Sequence, residues 1–375
     1  MSSQDFVRRL PGAGAPRVST PTRFAWDPPL LMLLLVVIAF GLVVLYSAAD
    51  RNSNALLSQM LRIGLGLVIM IVAAQFPPRF YLRWSPLMYG IGLVLVALVL
   101  SNGVVVNGSR RWLEIPGVAR FQPSELLKIA VPMMVAWYFH DRALPPSFKD
   151  LLVALLIIAL PAALVVLQPD LGTGILVAAA GFAVILLAGL QWRYLLLAAA
   201  AVAGVAPMAW YGLQEYQKQR ILTLFDPESD PLGAGWNIMQ STTAIGSGGL
   251  EGKGLFQGTQ SHLDFLPESH TDFIIAVIGE ELGFMGVLFV LLVYVSIVAR
   301  CLYTATLAKQ TYSRLLSGAL TLTFFVYVFV NIAMVSGMLP VVGVPLPLIS
   351  YGGTSAITLL ASFGIIMSIH AHKSW

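Results

Sequence analysis

Residues 240–286 read QSTTAIGSGGLEGKGLFQGTQSHLDFLPESHTDFIIAVIGEELGFMG. The stretch begins glycine-rich and polar and ends apolar, with helical character. At the join, LPESHTDF places Glu268, His270 and Asp272 within five residues. The pattern predicts a long loop that brings titratable groups to the mouth of a hydrophobic bundle, with the other apolar segments as its wall.

The rest of the chain supplies that wall. Of 375 residues, 58% are apolar and 11% charged, and the mean hydropathy is +0.82. A soluble domain carries about 25% charged residues, so the composition points to a polytopic membrane protein. A helix needs roughly 20 apolar residues to cross a bilayer. Such runs fall near 30–49, 56–76, 85–101, 124–139, 150–168, 171–190, 192–212, 273–300, 315–338 and 347–369. Open strands cannot span lipid, so the expected fold is an all-α polytopic membrane protein of about ten transmembrane helices. The runs 150–168 and 171–190 are divided by a tight turn at Pro169 and Asp170. A large extracytoplasmic loop, 213–272, separates helices 7 and 8.

Residues 1–29 are polar, bear Pro, Gly and Arg, and lack the early apolar region of a signal peptide. They read as a disordered cytoplasmic tail ahead of a membrane domain over 30–375. Ten spans put both termini on one side. That side collects Arg8, Arg9, Arg17, Arg23, Arg79, Arg83, Arg142, Lys149, Arg193, Arg300, Lys309, Arg314 and Lys373, against Arg51, Arg110, Arg111 and Arg120 in the opposite short loops. The bias places both termini in the cytoplasm and loops 102–123 and 213–272 outside. The net charge of +4 forms no basic stripe, so nucleic acid is not an expected partner. Cys301 is the single cysteine, which excludes an internal disulfide.

Within 213–272 an amphipathic helix is expected near Glu215–Phe225, followed by a turn-rich DPESDP. IGSGGLEGKG shares only composition with a phosphate-cradling loop. It lacks the GK[ST] ending and any βαβ setting, so tight turns or close backbone packing account better for its glycines.

Charges in or near spans need a reason. In RFQPSELLKIAVP, Glu125 and Lys128 are three apart and share a helix face. They read either as a locking ion pair or as cavity residues in which Lys128 meets an anionic substrate. Arg110 and Arg111 just upstream could add positive charge, and Trp112 fits an interfacial anchor or a lid. Asp170 in QPDLGT reads first as a helix cap. A continuous helix from Asp272 would lift it about 15 Å above Leu282. On that helix Glu281 falls nearly opposite Asp272 and Glu280 about 80° away, so they cannot both share its site through this helix alone, and Glu280 or Glu281 should pair with a neighbouring helix. PVVGVPLPLISYGGTS, 340–355, is irregular and uncharged, and reads as scaffold and cavity wall.

Several segments, in this order, carry a family resemblance: RRWLEIPGVARFQPSELLKIA, QPDLGT, DPESDPLGAGWNIMQSTTAIGSGGLEGKG, TQSHLDFLPESHTDFIIAVIGEELG and NIAMVSGMLPVVGVPLPLISYGG. From Trp26 onward the chain resembles the SEDS family (shape, elongation, division and sporulation). The VVGVPLP wording is similar to the elongation branch rather than the division branch. The resemblance implies a peptidoglycan glycosyltransferase of about ten helices in the bacterial cytoplasmic (inner) membrane. Its site would face the periplasm and polymerise lipid II for cell elongation. It implies a class B penicillin-binding protein and other elongation-complex proteins as partners. The family's essential aspartate falls on Asp272, with Arg110, Trp112, Glu125, Lys128, Arg220 and Gln240 around the cavity and Asp264 as an alternative acidic partner.

That resemblance gives Asp272 the role of general base toward an acceptor hydroxyl. Arg110, Arg111, Lys128 and Arg220 would stabilise a departing undecaprenyl diphosphate. A divalent cation (Mg or Mn) could share that work, although no ligand cluster is evident from spacing. Two other classes fit a ten-helix bundle: a lipid II flippase, and a non-catalytic scaffold of the wall-synthesis complex. The clustering of polar groups on the outer side and the lack of a clear internal repeat weigh against transport. The delivery of LPESHTDF to the bundle mouth weighs against a scaffold.

Overall fold

A computed structural model of the chain describes residues 25–106, 109–115, 119–212, 215–230, 233–262 and 269–372. The helices start where the sequence offers caps. Helix α1 (Pro28–Ala48) opens on two prolines behind Asp27, whose side chain accepts from the Leu30 amide. Asn52 caps α2 (Ser53–Gln75) at the amides of Asn54 and Ala55. Helix α3 (Pro78–Asn102) leads into three short antiparallel strands, β1 (Val104–Val106), β2 (Ser109–Ile115) and β3 (Ala119–Phe121). Trp112 sits opposite Val104, and Leu113 opposite Phe121.

Then come α4 (Ser124–Phe139), α5 (Phe148–Val166), α6 (Leu171–Leu187) and α7 (Trp192–Gly212). The segment beyond α7 holds α8 (Glu215–Phe225), a single turn at Pro227–Ser229, α9 (Ala234–Gly248), α10 (Thr259–His262) and α11 (Ile274–Glu281). The chain finishes with α12 (Gly283–Leu307), α13 (Thr311–Val335) and α14 (Thr354–Ala371).

Among the described residues seven helices, α1, α2, α3, α5, α12, α13 and α14, are long and apolar enough to cross a membrane by length and composition. Helices α4 and α6 fall short at 16 and 17 residues. For α4 and α6 the reason is burial inside the protein. Most of α4 is shielded by its neighbours, and glycines bring α6 onto other backbone: a Cβ on Gly172 would lie 2.8 Å from the Val342 carbonyl oxygen. Helix α13, buried along most of its length, runs between α4, α6, α12 and α14.

Three expectations change. Residues 240–248 are not loop; they complete α9, which packs on α11. Tertiary contact here overrides the weak helix propensity of glycine. The run expected as one helix from Asp272 is broken at Leu282–Gly283, where Gly283 takes φ +64°. Helix α11 has eight residues, all buried, about 12 Å of helix, so it cannot cross a bilayer. The 15 Å ruler from Asp272 therefore does not apply. The last span starts only at Thr354, after an irregular segment. The helix expected near Glu215, the turn at DPESDP and the break at Pro169–Asp170 are all present.

Polar contacts distinguish the two ends of the bundle. At one, Arg300 of α12 binds Asp27 at 2.9 Å and His370 of α14 lies 3.6 Å from the same carboxylate. At the other, Ser47 of α1 donates to Glu281 at 2.7 Å and Ser269 donates to the Ala48 carbonyl at 3.3 Å. The turn carrying Asp272 lies at this second end.

Candidate functional site

Asp272 sits in the turn 269–273 that leads into α11. Its backbone carbonyl accepts from Asn331 Nδ2 of α13 at 2.8 Å, and the same nitrogen donates to the Val344 carbonyl at 2.7 Å. The Tyr351 amide donates to the His270 carbonyl at 2.9 Å. These bonds lace the Asp272 turn to the irregular segment 340–353. Gly343 lies under the carboxylate: a Cβ there would stand 3.4 Å from Asp272 Oδ2, and its φ of +74° suits glycine. The segment is fixed further by Gln59 donating to the Ser350 carbonyl and Tyr294 to the Pro347 carbonyl.

The glycine-rich loop after α9 holds α11 from behind. Gly248 would place a Cβ 1.9 Å from the Gly279 carbonyl oxygen, and Gly252, at φ +80°, would place one 2.2 Å from that of Glu281. Close backbone packing, not phosphate binding, accounts for these glycines. Glu280 binds Lys253 Nζ at 2.6 Å and the amides of Thr259 and Gln260. Glu281 binds Ser47 of α1 and the Phe256 amide. Thus Glu281 does pair with a neighbouring helix, while Glu280 pairs with the loop.

In front of Asp272 lies a cavity of about 510 Å³. Asp272, Glu125, Lys128, Arg111, Asp170 and Arg220 all border it, with Trp112 and Tyr327 among the aromatic groups. Backbone of 341–345 and 351–355 closes one wall, as expected of that segment. Lys128 Nζ is 2.5 Å from Glu125 Oε1 and 4.8 Å from the Tyr327 ring centre, and Thr358 donates to Glu125 Oε2 at 3.1 Å. The ion pair and the cavity position are therefore both realised. Arg111 of β2 donates to the Pro169 carbonyl at 2.6 Å and lies 3.6 Å from Asp170 Oδ2. Gln122 donates to the same oxygen at 3.1 Å. Asp170 caps α6 through the Thr173 amide, as read from sequence, and also faces the cavity.

Other candidates lie elsewhere. Gln240 sits on α9, behind the site, and does not border the cavity. His270 is set back, its ring 6.0 Å from that of Tyr351. Asp264 and Glu268 lie outside the described residues, as does the Arg110 side chain. Among the described residues no group of three or more His, Cys, Asp or Glu gathers as metal ligands would. Sequence reasoning passed over Gln122, Tyr327 and Asn331. Asn331 carried a visible signal, a lone amide within the apolar YVFVNIAMV.

The arrangement offers a carboxylate beside cations in a partly enclosed space, suited to moving a proton and holding an anion. A family model described as "Cell cycle protein", for FtsW, RodA and SpoVE, matches residues 28–375. The chain is 51% identical to the peptidoglycan glycosyltransferase MrdB of Escherichia coli K12, over 92% of this chain and 94% of that one. It is 35% identical to the probable peptidoglycan glycosyltransferase FtsW of Trichlorobacter lovleyi, over 94% and 95%. A solved chain described under "Structural coordination of polymerization and crosslinking by a peptidoglycan synthase complex" matches with TM-score 0.83 at 33% identity, covering 93% of this chain and 98% of that one. The crystal structure of the Thermus thermophilus rod shape determining protein RodA matches with TM-score 0.71 at 30% identity, over 94% and 98%. Motifs, fold and relatives agree: this chain is a multi-pass membrane protein of the FtsW/RodA/SpoVE family, the SEDS family.

Proposed function

We propose that the chain is a peptidoglycan glycosyltransferase of cell elongation, polymerising lipid II at the cavity in front of Asp272. The observation that carries the reading is one 510 Å³ cavity bordered by Asp272 together with Lys128, Arg111 and Arg220. The greater identity to MrdB than to FtsW favours the elongation role. In the reaction, the Asp272 carboxylate takes the proton of the 4-hydroxyl of an acceptor lipid II. The freed oxygen attacks the anomeric carbon of the lipid-linked donor strand from the face opposite its diphosphate. The anomeric carbon–oxygen bond breaks, its electrons leave on undecaprenyl diphosphate, and the new linkage is β-1,4. General-base help of this kind supplies about 10²–10⁴ in rate.

Arg111, Lys128 and Arg220 face the charge that develops on the diphosphate. The first two are held by Asp170 and Glu125, so they are in position before the substrate arrives. Magnesium binds through one or two carboxylates plus substrate phosphates, so an ion carried in by the diphosphate would need few ligands from the protein. The reading also places the site on the periplasmic side, both termini in the cytoplasm, and a class B penicillin-binding protein as cross-linking partner. The test is glycan formation from purified lipid II by wild type and Asp272→Asn, each with that partner. Polymer from wild type and none from the variant is the expected result; equal polymer from both removes Asp272 as base.

A further inference from the structure

We propose that Arg62 and Tyr351 form a phosphate subsite on the flank of the cavity, which takes the diphosphate headgroup of one polyprenyl-linked substrate. The proposal rests on the polymerase reading above. It starts from a charge in an unfavourable place. Arg62 lies on α2, a helix long and apolar enough to cross a membrane, nine residues beyond Ser53 and therefore about 14 Å along the axis. A charged side chain at that depth is expensive and calls for a partner or a function.

Arg62 is engaged differently from three other cations of the bundle. Arg111, Lys128 and Arg300 are each set against a carboxylate. Among the described residues Arg62 makes no ion pair; its guanidinium lies 4.8 Å from the centre of the Tyr351 ring. Stacking occupies the face of a guanidinium and leaves its N–H donors in the plane, the fork that matches phosphate oxygens.

The place is next to the chemistry. Tyr351 borders the cavity, and its amide is bonded to the carbonyl of His270, two residues before Asp272. One turn before Arg62, Gln59 donates to the Ser350 carbonyl at 3.1 Å, fixing α2 against this wall. Beside Arg62 on α2, Leu61 and Leu65 are 67% and 53% exposed, an apolar surface along which a prenyl tail can run. The reaction also needs the charge. Two lipid-linked diphosphates must meet at one cavity, while Arg111 and Lys128 are already set against Asp170 and Glu125. Arg62 adds a cation with no carboxylate against it among the described residues.

The test measures binding of undecaprenyl diphosphate, and separately of inorganic diphosphate, to the full-length protein in detergent. It compares wild type with Arg62→Gln, Arg62→Lys and the exposed, opposite-end control Arg83→Gln. The KM and kcat for lipid II are measured in parallel with the penicillin-binding partner present. Loss of one charge-assisted phosphate contact should weaken binding of the lipid about tenfold in Arg62→Gln. KM should rise by a similar factor with kcat little changed, Arg62→Lys should recover part of the loss, and Arg83→Gln should match wild type. Unchanged lipid binding in a folded Arg62→Gln overturns the proposal and leaves Arg62 as an arginine that merely reaches toward the membrane surface. Inorganic diphosphate binding as tightly as the lipid, and lost in Arg62→Gln, overturns the lipid assignment in favour of a free-anion site. A wild type that binds the lipid through Arg62 yet makes no polymer sinks the polymerase reading instead.

Discussion

Replacing Asn331 with Leu should slow polymerisation without touching any group that faces the substrate. Asn331 is fully buried, and its Nδ2 holds the carbonyls of Asp272 and Val344 at 2.8 and 2.7 Å. Among the described residues its own Oδ1 has no hydrogen-bond partner, so the amide serves through its two N–H groups. Leu keeps the branched four-atom side chain, with bulkier methyl groups, and has no donor. Each carbonyl left unsatisfied costs about 1–3 kcal/mol, so the pair costs about 2–6 kcal/mol. Part of this appears as lower stability. The rest appears as a population in which the Asp272 turn and segment 340–353 drift apart, and each 1.4 kcal/mol moves that population about tenfold. A fall in kcat of about 10- to 100-fold is expected, measured as the initial rate of glycan formation at saturating lipid II, well below the variant's own unfolding temperature. Asn331→Asp should behave similarly, since an ionised carboxylate presents acceptors to two acceptors. A folded Asn331→Leu or Asn331→Asp with kcat within about twofold of wild type would refute the argument, because the two bonds would then not be placing Asp272.

Two further outcomes follow from the same geometry. Lys128→Met leaves Glu125 as a buried charge without its cation, which costs about 3–5 kcal/mol and should lower the unfolding temperature. Adding Glu125→Gln should restore stability but not turnover, and recovery of both would show that Lys128 is not needed for the diphosphate. On α9, Gly248→Ala would force a Cβ within 1.9 Å of the Gly279 carbonyl, whereas at Gly246 nothing lies within 4 Å. Thermal unfolding should therefore show Gly248→Ala destabilised by about 1–3 kcal/mol or more and Gly246→Ala neutral or stabilised by up to about 1 kcal/mol; the same sign at both positions would contradict the close crossing of α9 and α11.

The apolar runs and the bundle class were legible because membrane solvation acts on composition alone, residue by residue. The Glu125–Lys128 pair was legible because helical spacing puts both on one face. What failed depended on partners distant in sequence. Residues 240–248 look like a loop until α11 is laid against them, and then their glycines become the means of close approach. The β1–β3 meander was hidden inside a loop of ordinary composition, and it is what carries Arg111 to Asp170. Tyr327 is one aromatic residue among many in an apolar helix, and only the fold shows it above Lys128. Arg62 was different: a lone cation within an apolar run was visible in the sequence, and only its alignment with Tyr351 gives it a place.

The short buried helix α11 explains how a carboxylate base can be held still at the end of a membrane bundle. A loop alone would leave Asp272 mobile, and a spanning helix would tie its position to the bilayer. Here eight buried residues form an anchor with two acids at its far end. Burying two carboxylates is costly unless their oxygens are satisfied. Glu280 Oε1 accepts from Lys253, from the amides of Thr259 and Gln260, and from the Thr259 hydroxyl, while Glu281 is bound by Ser47 and the Phe256 amide. The acids thus clamp the glycine-rich loop and α1 to one end of α11, and Asn331 and Tyr351 fix the turn at the other. The two acids that helical geometry set apart from Asp272 act here as fasteners. Of the three acids around α11, the one that faces the cavity stands just before the helix, where its backbone is held and its side chain lies over Gly343.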